Sequence, residues 1–441
     1  METPNQNIKP ITTKTNERGN LEIGGCDLVE VAKKHGTPLY LYCEKTIREM
    51  AKAYKDAFSN YKKTNFMFAS KAFMTKAIVQ ILSSEGFGFD TVSGGEMYTV
   101  KSVLGNLKTC LLNGNNKSEE ELNMAIDNNI RLISVDNFLE LAMLDRIAKS
   151  KNKTVDILLR ITPGIECHTH KYIQTGHLDS KFGFDLTQLD EAIETIIQDY
   201  KNLNLKGLHA HIGSQIFETK VYYDEVKIIL GEFRRIYDKF GIKLTEMNLG
   251  GGLGINYTKD DKAPSVYEIA KQILSSIEKY TKEYDLEKPT ICIEPGRSIV
   301  GTAGVTLYKV GTSKTIPLSH KKYVAVDGGM ADNARPSLYQ AIYEAQIANK
   351  KENYDIEHKE KITLSGRYCE SGDILINDIE LPKLNPNDLI CVYDTGAYGY
   401  SMSSNYNRTL KPAVVLLNDG TSKEIVKRQT YNQLIENDVE L

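Results

Sequence analysis

No run in this 441-residue chain approaches the ~20 consecutive apolar residues of a membrane span, and Met1 to Asn20 is polar, without the apolar core of a secretory signal. The seven cysteines are scattered and form no C-x-x-C pair, so reduced thiols are expected rather than a disulfide framework. Net charge is only −3, so no basic surface marks a nucleic-acid partner. Repeats and low-complexity segments are missing as well. These absences leave a cytoplasmic enzyme as the expected class. What is present agrees with it. Apolar residues make up 41%, enough for a sizeable core, and the length calls for two domains.

Strand patterns fall at 65–70, 86–92, 108–113, 131–136, 154–161, 205–212, 244–249 and 290–294. Helical patterns fall between them, at about 72–84, 94–104, 118–128, 137–150, 187–200, 218–239 and 266–285. This alternation calls for parallel β, and eight units of roughly 30 residues call for a (β/α)8 barrel rather than an open doubly wound sheet. One βα connection is long, from Pro163 to Asp185, and carries Cys167, His168, His170 and His177. Loops of that length on a barrel are usually functional. After Arg297 helical periodicity fades and short β-rich runs appear, such as Val305 to Val310 and Leu389 to Val392. The expected division is a barrel over 35–297 and a second, mostly β domain over 298–441. Residues 1–34 have no place in the βα order and are assigned to the second domain.

In such barrels, functional groups sit at the C-terminal ends of strands. Strand one runs straight into Lys71. A lysine at a buried strand end is expected to be desolvated, which suits its amine to hold a carbonyl as a Schiff base. Its bland reading is an amine that reaches past the strand into water. Asp90 ends strand two, Arg160 lies on strand five, and His209 and His211 share one face at the end of strand six. Gly250, Gly251 and Gly252 follow strand seven, where bare backbone N–H groups can approach an anion, with Ser214 as a further donor. Glu294 ends strand eight. A metal reading of the histidines would recruit Cys167, His168 or His170, but no compact ligand spacing supports it. An imidazole stacked on an aromatic cofactor ring is the better use. A Schiff-base lysine, a phosphate cradle and a carboxylate for a pyridine nitrogen together describe pyridoxal 5′-phosphate.

Longer motifs make the pattern specific. They are Phe68-Ala69-Ser70-Lys71-Ala72, Asn113-Gly114-Asn115-Asn116-Lys117-Ser118, His209 to Gln215, Asn248 to Gly254 and Glu294-Pro295-Gly296-Arg297. Further on come Asp327 to Met330, Asp332 to Tyr339, Cys369-Glu370-Ser371-Gly372-Asp373 and Tyr398 to Asn407. On these residues the chain resembles the diaminopimelate decarboxylases, members of the alanine-racemase-like, fold-type III pyridoxal-phosphate enzymes. The resemblance runs from about Leu39 to Leu410. Ser70 stands where many relatives have valine and Asn113 where many have histidine, and neither position is expected to carry chemistry.

The resemblance implies a (β/α)8 barrel followed by a β domain, and an activity that converts meso-2,6-diaminopimelate to L-lysine and CO2. It implies that Lys71 holds the cofactor, with His211, Ser214, Gly250, Gly251, Gly252, Glu294, Gly296 and Tyr398 around it; Asp90, Arg160 and Arg297 join the cofactor set from their places at strand ends around the same mouth. His211 would stack on the ring and Glu294 would face its nitrogen. Arg297, Arg335, Tyr339, Glu370 and Tyr398 would bind substrate, and Cys369 would protonate the carbon that loses CO2. Cys369 and Glu370 would come from the partner subunit of a homodimer. The rival on the same scaffold is a decarboxylase of ornithine, arginine, lysine or carboxynorspermidine. A catalytically silent regulator would need a lost lysine or phosphate site, and those residues are all present.

Overall fold

The structure is a computed structural model that describes residues 1–164, 180–351, 355 and 357–441. The chain divides into two compact units. The first comprises Met1–Thr3, Ala51–Gly254 and Ala263–Gly296, and the second comprises Pro4–Met50, Ile255–Lys262 and Arg297–Leu441.

The first unit is a closed parallel barrel. The strands of its ring are β1 (Thr64–Ala69), β2 (Gly88–Thr91), β3 (Cys110–Leu112), β4 (Leu132–Val135), β5 (Val155–Thr162), β6 (Leu203–His209), β7 (Glu246–Asn248) and β8 (Thr290–Ile293), and the two-residue strand Phe184–Asp185 adds a further parallel pairing to β5. Each pairs in parallel with its successor, and β8 pairs with β1, Ile291 opposite Thr64. The helices between them are α1 (Lys76–Ser84), α2 (Gly94–Leu104), α3 (Glu119–Asp127), α4 (Phe138–Ser150), α5 (Leu189–Asp199), α6 (Lys220–Phe240) and α7 (Val266–Glu283). Strands β2, β3 and β4 are buried along their whole length, as expected of parallel β covered by helices. Met67, Leu111, Leu132, Leu158 and Cys292 pack together as a buried cluster inside the ring.

Local chemistry sets where the helices begin. Ser118 and Glu121 form a reciprocal capping box on α3, and Ser265 and Glu268 do the same on α7. Thr75, Ser93 and Asn137 cap α1, α2 and α4 with side-chain oxygens. The first helix therefore starts at Lys76, later than the periodicity from Ala72 predicts. Residues Ser70–Ala72 form one 3-10 turn instead.

The second unit is mostly sheet. Strands run in the order Ile374–Pro382, Lys359–Ser365, Lys322–Val326, Gly304–Thr315, Leu39–Cys43, Ala413–Asn418 and Thr421–Val426. Leu389–Val392 also pairs with Gly304–Thr315, and Ala345–Ile347 pairs with Leu389–Val392. The N-terminal segment adds a small antiparallel sheet of Lys14–Thr15, Leu21–Ile23 and Cys26–Asp27. Leu21, Leu28, Leu39, Leu307, Val415 and Leu417 belong to one of its buried clusters. Tyr257, Tyr308, Val324, Leu364 and Val392 belong to another.

Inside the barrel a charged staple joins successive βα units. Lys117 Nζ donates to Gly114 O, Ser134 O and Glu140 Oε1, each at 2.7 Å, and both side chains are almost fully buried. Breaking one side of such a pair strands a buried charge. Lys117→Met is therefore expected to lower the unfolding free energy by about 3–5 kcal/mol in urea denaturation. Combining it with Glu140→Leu should recover much of the loss. A single-variant loss under about 1 kcal/mol would mean that Glu140 neutralises itself on its own.

Candidate active site

The polar strand ends do converge within the barrel. Glu294, directly after β8, is 6% exposed, and Asp90 on β2 is 4% exposed. Glu294 Oε1 accepts hydrogen bonds from Asn248 Nδ2 at 2.7 Å and Asn113 Nδ2 at 3.1 Å. The same Asn113 amide donates to Asp90 Oδ1 at 2.7 Å. Glu294 Oε2 has no hydrogen bond among the described residues, and His209 Nε2 lies 3.6 Å from it. Burial pushes the Glu294 carboxyl up to about 8, and the Asp90 charge adds to this. The two amides and the Lys71 ammonium pull the other way. Burial also raises Asp90, against the opposing charges of Lys71 and Arg160.

His209 is held neutral. Burial, with the charges of Arg160 and other cations, drives its pKa well below that of an ordinary imidazole. Ser134 Oγ lies 2.8 Å from its Nδ1, and its Nε2 has no hydrogen-bond partner among the described residues. His211 is half-buried and likewise lowered, first by burial and then by Lys71 and Arg160. Its Nδ1 accepts the Gly251 N–H at 3.2 Å, which leaves the proton of the neutral ring on Nε2. Arg160 on β5 is buried, with its guanidinium 4.2 Å from the Phe182 ring and 3.8 Å from Asp136 Oδ1.

The glycine run needs its lack of side chains. Gly250 has φ +57°, and a Cβ there would lie 2.7 Å from His211 Nδ1. A Cβ on Gly251 would lie 2.2 Å from Glu294 O. One on Gly252, at φ +110°, would meet Gly213 O at 2.7 Å. A Cβ on Gly296 would crowd Ala69 on β1 at 2.9 Å. Ser214 is half-buried beside Gly213.

Two expectations need correction. Lys71 does not end the strand in a dry site: it sits in the 3-10 turn after β1 and is exposed. The backbone turns at Ser70, which takes Lys71 out of the packed strand end. Asn113, expected to carry no chemistry, bridges the two buried carboxyls. Its place directly after β3 is the signal that could have found it, because that is where the other polar strand-end groups lie. The same rule applied to β7 points to Asn248. Cys167, His168, His170 and His177 lie outside the described residues.

The second unit carries its own cluster. Arg335 is buried at the start of the short helix Arg335–Tyr339 and donates to Tyr343 Oη at 2.7 Å. Its guanidinium lies 4.9 Å from the Tyr257 ring, and it makes no ion pair among the described residues. Asp332 is not its partner. That carboxylate accepts from Tyr308 Oη at 2.7 Å, Tyr368 Oη at 3.0 Å and Gly329 N at 3.0 Å. Arg297 donates to Tyr257 Oη and lies 4.9 Å from the Tyr398 ring. Tyr398 is half-buried at φ +62°, and Tyr339 is half-buried as well. Tyr257 was not singled out from sequence, because nothing marks it there from the other tyrosines.

Cys369 and Glu370 are exposed on a loop that is well held. Tyr368 N donates to Asp373 Oδ2 at 2.8 Å, and Cys369 N donates to Asn407 Oδ1 at 3.0 Å. Tyr406 Oη reaches Glu370 Oε2 at 3.4 Å. The other described cysteines are all buried. The described residues contain no cluster of three or more His, Cys, Asp or Glu able to hold a metal, and no helix among them is long and apolar enough to cross a membrane.

The barrel residues fit a pyridoxal group. A lysine amine is exposed beside a buried carboxyl with one open oxygen, next to a neutral imidazole and a run of bare backbone. Comparison with known proteins agrees. A family model described as "Pyridoxal-dependent decarboxylase, pyridoxal binding domain" matches residues 44–301, and the corresponding "C-terminal sheet domain" model matches 222–396. The chain is 46% identical to the diaminopimelate decarboxylase of Bacillus subtilis over 97% of each chain. It is 45% identical to that of Synechocystis over 99% of this chain and 93% of the relative. The crystal structure of diaminopimelate decarboxylase from M. jannaschii, also solved in co-complex with L-lysine, superposes with a TM-score of 0.91 at 35% identity, covering 98% of both chains. The chain belongs to the pyridoxal-dependent decarboxylases, within their diaminopimelate decarboxylase family.

Proposed function

We propose that this chain decarboxylates meso-2,6-diaminopimelate to L-lysine and CO2 with pyridoxal 5′-phosphate, as the last step of lysine biosynthesis. The observation that carries the reading is the buried Glu294 carboxyl, raised to about 8 in the same barrel mouth as the exposed Lys71 amine. When bound, the cofactor supplies a conjugated ring that accepts the electron pair left by departing CO2. Lys71 is the residue that would hold it. Gly250, Gly251, Gly252 and Ser214 would hold its phosphate, and His211 would lie against its ring. Glu294 would face its nitrogen. Oε1 already takes two N–H donors, so a proton on Glu294 resides on Oε2 and can be shared from there.

Substrate choice follows from charge. Meso-diaminopimelate differs from lysine by a distal carboxylate, and an arginine fork binds a carboxylate through paired hydrogen bonds. Arg335 is buried against tyrosines with no carboxylate partner among the described residues, so it is suited to that anion. A cationic tail such as that of ornithine would meet an uncompensated guanidinium instead. Cys369 and Glu370 are exposed on the chain that carries them, which suits delivery to a second copy. Cys369 is the proposed proton donor to the carbon that loses CO2, and Glu370 the proposed acceptor for the distal ammonium. The active unit is then a homodimer.

Three outcomes are expected. Lys71→Ala should abolish turnover together with covalent, borohydride-trappable cofactor; trapped cofactor in this variant would place the anchor on another lysine. Arg335→Ala should lower kcat/KM for meso-diaminopimelate by about 100-fold, or ~3 kcal/mol, with the cofactor absorbance kept. Turnover of ornithine or L-lysine by the unaltered protein at a matching rate would refute the charge argument. Mixing inactive Lys71→Ala with inactive Glu370→Ala protein should restore part of the activity. No recovery after proven subunit exchange would place the whole site in one chain.

A further inference from the structure

Asn248 ends β7 and is fully buried. Its Oδ1 accepts the Gly250 N–H at 2.8 Å, and its Nδ2 donates to Glu294 Oε1 at 2.7 Å. The orientation of this amide is dictated by its neighbours. A backbone N–H can only donate, so Oδ1 must face Gly250 and Nδ2 must face Glu294. The link is closed by the main chain, since Glu294 N donates to Gly250 O at 2.6 Å. Gly250 stands in the left-handed region, with no room for a Cβ beside His211. Gly251 N in turn donates to His211 Nδ1. One connected path therefore runs from His211 through the glycine turn and Asn248 to Glu294, and on through Asn113 to Asp90.

We propose that Asn248 is a positioning residue that locks the Gly250 amide and the Glu294 carboxyl into one unit. It sets the turn proposed to take the cofactor phosphate and fixes which Glu294 oxygen is left to meet the ring. Donating to Oε1 with Asn113, it helps exclude a proton from that oxygen and confine it to Oε2. A residue that merely filled the end of β7 would do neither.

This rests on the cofactor reading above for its binding arm alone. The unfolding arm uses apoprotein and stands whichever amino acid is decarboxylated. The groups that act on Glu294 are Asp90, His209, Lys71, Arg160, Glu225 and Cys292, besides the two amides. The folded-state pKa of Glu294 lies above its unfolded value, so the folded chain binds the extra proton. Its contribution to stability falls as pH rises from the unfolded pKa through about 8. Donation from Asn248 softens that alkaline loss.

The test compares Asn248→Ala and Asn248→Asp, each with and without Glu294→Gln. Pyridoxal phosphate affinity is measured by absorbance titration, and apoprotein stability by urea unfolding on either side of the Glu294 pKa. Asn248→Ala is expected to weaken cofactor binding by about tenfold or more, the scale of one lost hydrogen bond to a charged group. Its stability deficit should be larger on the alkaline side, and Glu294→Gln should erase that pH-dependent part. Asn248→Asp keeps the acceptor for Gly250 but sets a second carboxyl, in place of an N–H, against Glu294, so it should show a larger alkaline deficit than Asn248→Ala with a smaller loss of cofactor affinity. It also serves if the alanine variant does not fold. Unchanged cofactor affinity in Asn248→Ala, an alkaline deficit of that variant that persists with Glu294→Gln, or no alkaline deficit in Asn248→Asp would overturn the proposal.

Discussion

Two buried carboxyls share the barrel mouth, and most of what surrounds them answers that constraint. Asp90 and Glu294 cannot both be ionised there without a large desolvation and repulsion cost. The structure hydrogen-bonds the pair through amides rather than through direct counter-ions. Asn113 bridges the pair and Asn248 holds Glu294 from the other side, while Lys71 and Arg160 act through their fields. Amide donors stabilise a carboxylate but do not neutralise it. The pair therefore retains a proton at a pH where isolated carboxyls have lost theirs. In the proposed function, that proton is available to the cofactor's ring nitrogen.

The second unit buries charge of the opposite sign. Arg335 lies against Tyr257 and Tyr343, whose ring faces and hydroxyls stabilise a cation without cancelling it. The nearby acid, Asp332, is occupied by two tyrosine hydroxyls and a backbone amide. It serves to hold Tyr368, and through it the loop of Cys369 and Glu370. An arginine left without a carboxylate and an acid diverted to scaffolding are two halves of one arrangement.

The large periodicities were legible in the sequence. Among the described residues, the eight ring strands and seven helices of the barrel fall in the order and near the places that alternation and helical spacing predict, because burial on both faces leaves apolar strands and the helices are amphipathic. The β texture after Arg297 was legible for the same reason. What failed was local. Apolar spacing carried the first helix back to Ala72, whereas Thr75 as cap and the 3-10 turn delay it to Lys76. That turn also moves Lys71 out of the strand end, a rotation that strand periodicity cannot register. Asn113 was passed over because an amide carries no charge, although its two-sided donation matters more here than its polarity. Tyr257 escaped notice because its role depends on side chains distant in sequence, Arg297 and Arg335.

The seam between β1 and β8 gives the barrel a history as well as a shape. Ile291 to Ile293 pair with Thr64 to Phe66, across nearly the whole length of the barrel sequence. As the chain emerges from the ribosome, Lys71 is delivered early and Glu294 more than two hundred residues later. Until β8 arrives, the nascent sheet keeps two open parallel edges, the kind of surface that invites pairing with other chains. A chain stopped short of β8 would carry Lys71, the proposed anchor, but neither a closed ring nor Glu294, the carboxyl proposed to face the cofactor. Closure of the ring and arrival of Glu294 coincide, so the buried pair of Asp90 and Glu294 forms only once the barrel is complete.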